Sequence, residues 1–86
     1  MTLAKLRRGK YSVVEEKIAP NSPVIGIAIK DMPLPQNCVI SGIIRKGEIV
    51  LPRGITTLEE GDEVLALVDD SAREQLAKFL TRPKEV

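Results

Sequence analysis

The chain has 86 residues, 43% of them hydrophobic, and its only aromatics are Tyr11 and Phe79, so it forms one small domain with an aliphatic core. Thirteen basic residues against twelve acidic ones leave a net charge of +1, which argues against a nucleic-acid binder, whose affinity rests on a concentrated basic surface. The absence of histidine and the single cysteine, Cys38, remove the commonest general base, a principal metal ligand and any internal disulfide, and point to a non-catalytic domain in a reducing compartment.

Residues 1–10 read as an N-terminal flank or linker. Lys5, Arg7, Arg8 and Lys10 cluster there. A solvated flank is the simpler reading of that cluster, and a phosphate-binding arm is the alternative. The stretch lacks the apolar core of a secretory signal, and no apolar run in the chain approaches the roughly 18 residues that a membrane span needs. A cytoplasmic location is therefore expected, with any attachment to a membrane made through a partner or parent chain.

Tyr11 to Ala19 reads as a first strand, ended by Pro20-Asn21-Ser22-Pro23. Ser22 followed by Pro23 suits a helix start, and Val24, Ile25, Ala28, Ile29 and Met32 recur at helical spacing. Gly26 inside that helix is expected to permit close packing. Pro33-Leu34-Pro35 ends it as a stiff link. Cys38 to Arg45 is the second strand, with Val39, Ile40, Ile43 and Ile44 predicting burial on both faces. Lys46-Gly47 is a tight hairpin turn into a third strand, Glu48 to Leu51, where Pro52 stops the pairing for lack of an N–H. Gly61-Asp62 turns the chain into a central strand, Val64 to Val68. Ser71 and Glu74 fit a capping box for a closing helix that carries Ala72, Leu76, Phe79 and Leu80 on one face and ends at Arg82-Pro83. The order is β-α-β-β-β-α: an α+β domain over residues 11–82, mainly antiparallel sheet with two packed helices, and a tail at 83–86.

Few residues invite chemistry. Cys38 has no histidine partner and reads as a small buried hydrophobe. Ser12, Ser22, Ser41 and Ser71 lack a base. Glu59, Glu60, Asp62 and Glu63 do not have the spacing of a calcium loop and read as solvated turn charges, with a weak cation site between subunits as the second reading. No catalytic residue, metal site or cofactor is expected.

One ordered set of motifs goes further. Ile25-Gly26, Leu34-Pro35, Ile43-Ile44-Arg45 with Gly47, Pro52-Arg53-Gly54, Leu58, and Gly61-Asp62 with Val64-Leu65 resemble the TrkA C-terminal domain, also called the RCK C-terminal domain. The resemblance implies a cytoplasmic, dimeric regulatory module of a potassium or other cation channel or transporter, binding a small effector that in some members is cyclic di-AMP. It implies a membrane channel or transporter subunit and a second copy as partners, and no nucleic acid. Members that bind the cyclic dinucleotide use the start of the second strand and the end of the third, which fall here near Asn37, Cys38, Val39, Pro52 and Arg53. Pro33-Leu34-Pro35-Gln36 stand where basic and amide groups are expected. No Gly-x-Gly-x-x-Gly is present, so NAD or ATP binding is not carried over. Among these positions Arg53 is the residue whose guanidinium can fork onto phosphate. Two other readings compete: a biotinyl or lipoyl carrier domain with Lys46 as the attachment site, and a dimerisation module without ligand.

Overall fold

A computed structural model describes residues 1–81. Five strands, β1 (Thr2–Leu6), β2 (Tyr11–Lys17), β3 (Cys38–Arg45), β4 (Glu48–Val50) and β5 (Glu63–Asp69), are followed by one helix, α1 (Arg73–Thr81). All pairings are antiparallel, in the order β1-β2-β5-β3-β4. The domain is α+β, as expected. The closing tail at 83–86 and the helix end at Arg82-Pro83 lie outside the described residues.

One face of the sheet carries the core. Val14 of β2, Val64, Ala66 and Val68 of β5, and Ile40 and Ile43 of β3 point to it, and Leu76 and Leu80 of α1 close over it. The predicted stripe on the closing helix is present: Leu76 and Leu80 are fully buried, with Ala72 and Phe79 packed beside them. The alternation of β3 is broken once. Ile40 pairs with Ala66 and Gly42 with Leu65, leaving Ser41 as the extra residue. That bulge turns both Ile40 and Ile43 inward although they are three residues apart. Val39 and Ile44 point to the other face, where Val39 is 62% exposed, so the strand is not covered on both sides within one chain.

The first of the two expected helices is absent. Residues 24–32 run as an irregular strap with a single helical turn at Ile29–Asp31. Isolated bridges join Ile25 to Leu58 and Ala28 to Thr57, and the Gly26, Ile29 and Lys30 N–H groups donate to the carbonyls of Leu58, Thr56 and Gly54 at 2.9–3.0 Å. Gly26 sits at φ +84° with nothing near its missing side chain, so it supplies a left-handed bend rather than close packing. Val24, Ile25, Ile27 and Ile29 are β-branched and pay side-chain entropy in a helix. With a facing segment to satisfy the backbone, the extended form wins. The strap buries Val24 and Met32 at its two ends.

Two further differences concern the ends of elements. Residues 2–6, expected as flank, add β1 to the sheet edge and pair with β2. The cap of the closing helix is Asp69, not Ser71. Its carboxylate accepts from the Ser71 N–H at 2.9 Å and from the Ser71 hydroxyl at 2.7 Å, and the chain enters α1 through a short turn at Asp70–Ala72. The Lys46-Gly47 hairpin matches expectation, with both residues at positive φ (52° and 79°), the signature of a two-residue type I′ turn.

Candidate functional site

The expected site residues lie at the start of β3 and just past the end of β4, on the β3–β4 margin of the sheet. The register sets Ile43 opposite Val50 and Ile44 opposite Ile49, so β4 runs back toward the start of β3 and carries Pro52 and Arg53 toward the level of Ser41 and Ile40. Pairing stops at Val50, just short of Pro52, which has no N–H to offer. The next turn is fixed locally. The Arg53 N–H donates to the Thr56 hydroxyl at 2.9 Å, and the Thr56 N–H donates back to the Arg53 carbonyl at 3.0 Å. The Arg53 side chain is exposed and makes no ion pair among the described residues.

At the other side of this margin Asn37 takes a left-handed conformation, φ 58°, and its carbonyl accepts the Asp69 N–H at 2.9 Å. Cys38 and Val39 then point to opposite faces. Cys38 pairs with Val68 and packs against the core, and burial pushes its thiol above the ordinary value, so it stays protonated and inert. Val39 pairs with Leu67 on the open face. The fold therefore leaves Val39 exposed on the open face and Arg53 exposed just past β4, and turns the Cys38 side chain toward the core.

That margin borders an uncovered apolar surface. Val13 of β2, Leu65 and Leu67 of β5, Val39 and Ile44 of β3, and Ile49 of β4 occupy the sheet face opposite the core. Ile49 is 67% exposed, and Leu51 just beyond it 77%. Glu15 and Glu63 flank this surface at one end. A hydrogen bond between their carboxyl groups, then burial, then their mutual repulsion raise the Glu15 pKa above the ordinary carboxylate value.

The sequence reading missed a buried, charged hydrogen-bond fork. Asp62, taken as a solvated turn charge, is 1% exposed. It accepts from Arg45 Nε at 2.9 Å and Nη2 at 2.8 Å, and from the Glu59 N–H at 2.8 Å. Arg45 also donates to the Thr57 carbonyl at 3.0 Å and pairs with Glu59 at 2.9 Å. Burial alone would raise the Asp62 pKa, but the Arg45 hydrogen bonds, the Glu59 N–H and the nearby positive charge outweigh it and leave it below the ordinary value. This fork ties the end of β3 to the loop that feeds β5. It also commits Arg45 internally, so that guanidinium is not available to a ligand. The signal was present in the ordered motif set, where Arg45 and Gly61-Asp62 both occur, but nothing in local spacing couples them. Among the described residues no three acidic or thiol groups converge on a point that would hold a metal. No helix among them is long and apolar enough to cross a membrane.

The sequence model of the TrkA-C domain matches residues 13–81. The chain belongs to the TrkA-C domain family. This TrkA-C domain is 40% identical over 75 residues to a Trk system potassium uptake protein TrkA homolog of Archaeoglobus fulgidus, covering 87% of this chain and 17% of that protein. It is 30% identical over 78 residues to the Trk system potassium uptake protein TrkA of Mycobacterium tuberculosis, covering 91% of this chain and 36% of that protein. The chain thus spans well under half the length of these relatives. In solved structures the same fold occurs in an RCK domain determined with cda, at a TM-score of 0.73 and 24% identity over 79% of this chain and 96% of that one. It also occurs in S. agalactiae BusR in complex with its busA-promotor DNA, at a TM-score of 0.66 and 18% identity over 93% of this chain and 40% of that one. Both likenesses are of fold. The family assignment leaves the carrier-domain alternative at Lys46 without support.

Proposed function

We propose that this TrkA-C domain acts as a dimeric, ligand-sensing regulatory module of a potassium or other cation transport system, without catalytic activity of its own. In this reading it works in the cytoplasm, held at the inner face of the membrane by a channel or transporter partner or by its parent chain. The carrying observation is the apolar face around Val39, Leu67, Ile44 and Ile49, which no helix among the described residues covers. Contiguous apolar surface of this kind marks an interaction site on a soluble domain. A two-fold contact lets one such face cover its own copy, and a chain of this length buries too little surface to leave it open at no cost. The potassium uptake relatives supply the transport context.

The effector site belongs to the margin of that face, at Asn37, Cys38, Val39, Pro52 and Arg53, with the Cys38 contribution limited to its backbone. Arg53 supplies the positive charge, unpaired and able to fork onto a phosphate. The RCK domain solved with cda supports a small anionic effector, with cyclic di-AMP the first compound to test. Size-exclusion chromatography with light scattering at micromolar concentration tests the dimer. Wild type should run as a dimer and Leu67→Lys as a folded monomer, whereas a wild-type monomer across a broad dilution series refutes the arrangement. Calorimetry with cyclic di-AMP tests the site: Arg53→Ala should bind more weakly, and equal affinity removes Arg53 from it.

A further inference from the structure

β1, the turn that follows it and the first two residues of β2 lie ahead of the matched family segment, and the regulatory reading makes no use of them. The turn is unusual in its backbone. Arg7, Arg8 and Gly9 are consecutive at φ 53°, 59° and 87°. Glycine or asparagine enters this region far more readily than arginine, yet two arginines occupy it. A tight hairpin turn asks for positive φ, and here the chain meets it with exposed cations in place of the glycine or asparagine that would fit at less cost. Arg7, Arg8 and Lys10 frame an open concavity of about 380 Å³. None of the three forms an ion pair among the described residues. The carboxylates at this end are committed elsewhere: Asp69 accepts from Ser71, and Asp70 accepts from Ser12 and pairs with Arg73. The acidic residues of the 59–63 loop lie at the opposite end of β5, so positive charge is concentrated at the hairpin tip despite a net charge of only +1.

Apolar groups accompany these cations. Leu6 and Tyr11 face each other across the base of the turn, and both are exposed, as is Leu3 at the irregularity in β1. Cations that reach for phosphates, a tyrosine suited to headgroup depth, and leucines able to enter the acyl boundary are the composition of a membrane-surface anchor. A single free phosphate would find only exposed donors here, whereas a surface dense in phosphates engages several at once. We infer that the β1–β2 hairpin docks directly on an anionic phospholipid surface through Arg7, Arg8 and Lys10, with Leu6 and Tyr11 inserted beside them. The protein then meets the membrane with its own residues, independently of any effector or transport partner.

Vesicle flotation of the whole chain tests this, with phosphatidylcholine vesicles made with and without phosphatidylglycerol. Wild type should float with the anionic vesicles only, and high salt should release it. The Arg7→Asn, Arg8→Asn, Lys10→Gln variant should bind roughly 100-fold more weakly, each basic residue near the surface contributing about fivefold. Its melting temperature should be unchanged or higher, because asparagine relieves the backbone strain, so lost binding is not lost folding. Leu6→Ser should weaken vesicle binding severalfold. Inorganic phosphate at matched ionic strength should not compete, and duplex DNA should bind more weakly than the vesicles. Absence of wild-type binding to anionic vesicles, equal binding by the triple variant, displacement by inorganic phosphate, or a preference for duplex DNA would each overturn the inference.

Discussion

Replacing Asp62 by alanine is the sharpest test of how this sheet is held to its loops. The carboxylate is buried and accepts three hydrogen bonds, two from the Arg45 guanidinium and one from the Glu59 N–H. Hydrogen bonds to charged groups contribute about 1.5–3 kcal/mol each, and breaking a buried ion pair from one side costs about 3–5 kcal/mol. Arg45 is 24% exposed and keeps Glu59 and the Thr57 carbonyl, so water and those partners recover part of the loss. A net cost of about 2–4 kcal/mol follows. A domain of this size has roughly 4–13 kcal/mol in total, so the variant should lose a large share of its stability. Urea unfolding at fixed protein concentration should show a midpoint lower by roughly 2–4 M at an m-value of about 1 kcal/mol/M. Paired with Arg45→Met in a double-mutant cycle, the coupling should be about 1–3 kcal/mol. The pH dependence adds an independent check. The folded pKa of Asp62 lies below its ordinary value of 3.8. Its contribution is therefore fully present above that value and is lost as pH falls through the folded pKa. Asp62→Asn should be less stable than wild type near neutrality, with the gap closing in strong acid. A coupling below about 0.5 kcal/mol, or a gap that does not change with pH, would refute this account of the fork.

Gly47→Val should destabilise the β3–β4 hairpin by about 1–2 kcal/mol, since a β-branched residue is strained at φ +79° and the turn needs that conformation; urea unfolding measures it. Asp69→Ala should lower the melting temperature more than Ser71→Ala, because the carboxylate and not the hydroxyl caps the entry to the helix, and the reverse order would restore the serine cap. Cys38 should react slowly with an alkylating reagent at neutral pH and speed up on unfolding, because burial holds the thiol protonated; rapid labelling of the folded chain would contradict that.

What could be read from the sequence follows a physical division. The strands β2 to β5, the Lys46-Gly47 turn and the closing helix were legible because each rests on local pattern: apolar runs, a glycine at a hairpin, a stripe at helical spacing. The strap at 24–32 was misread because its partner, residues 54–58, is distant in sequence and its pairing is invisible to periodicity. The same holds for β1, whose place is set by its antiparallel partner β2 and whose own residues alternate poorly. Asp62 looked like any acid in a Gly-Asp turn until Arg45 was placed beside it. The apolar residues of β3 correctly signalled two faces, but the sequence could not tell a face covered within the chain from one left open. The direction of the Cys38 side chain depended on strand parity, which only the register with β5 determined.

The strand order also governs how the chain can be made. β5 lies in the centre of the sheet, bonded to β2 on one side and β3 on the other, and β2 and β3 share no ladder. During synthesis the β1–β2 and β3–β4 hairpins leave the ribosome first, as two pieces with no hydrogen bonds between them. Neither is stable alone, because a lone two-stranded hairpin is marginal in water. Only when Asp69 has emerged does the piece arrive that joins them, pairing Tyr11 with Asp69 and Cys38 with Val68 at the same time. Assembly is therefore late and all at once, and an interrupted chain exposes two apolar hairpins to proteases instead of a partial domain.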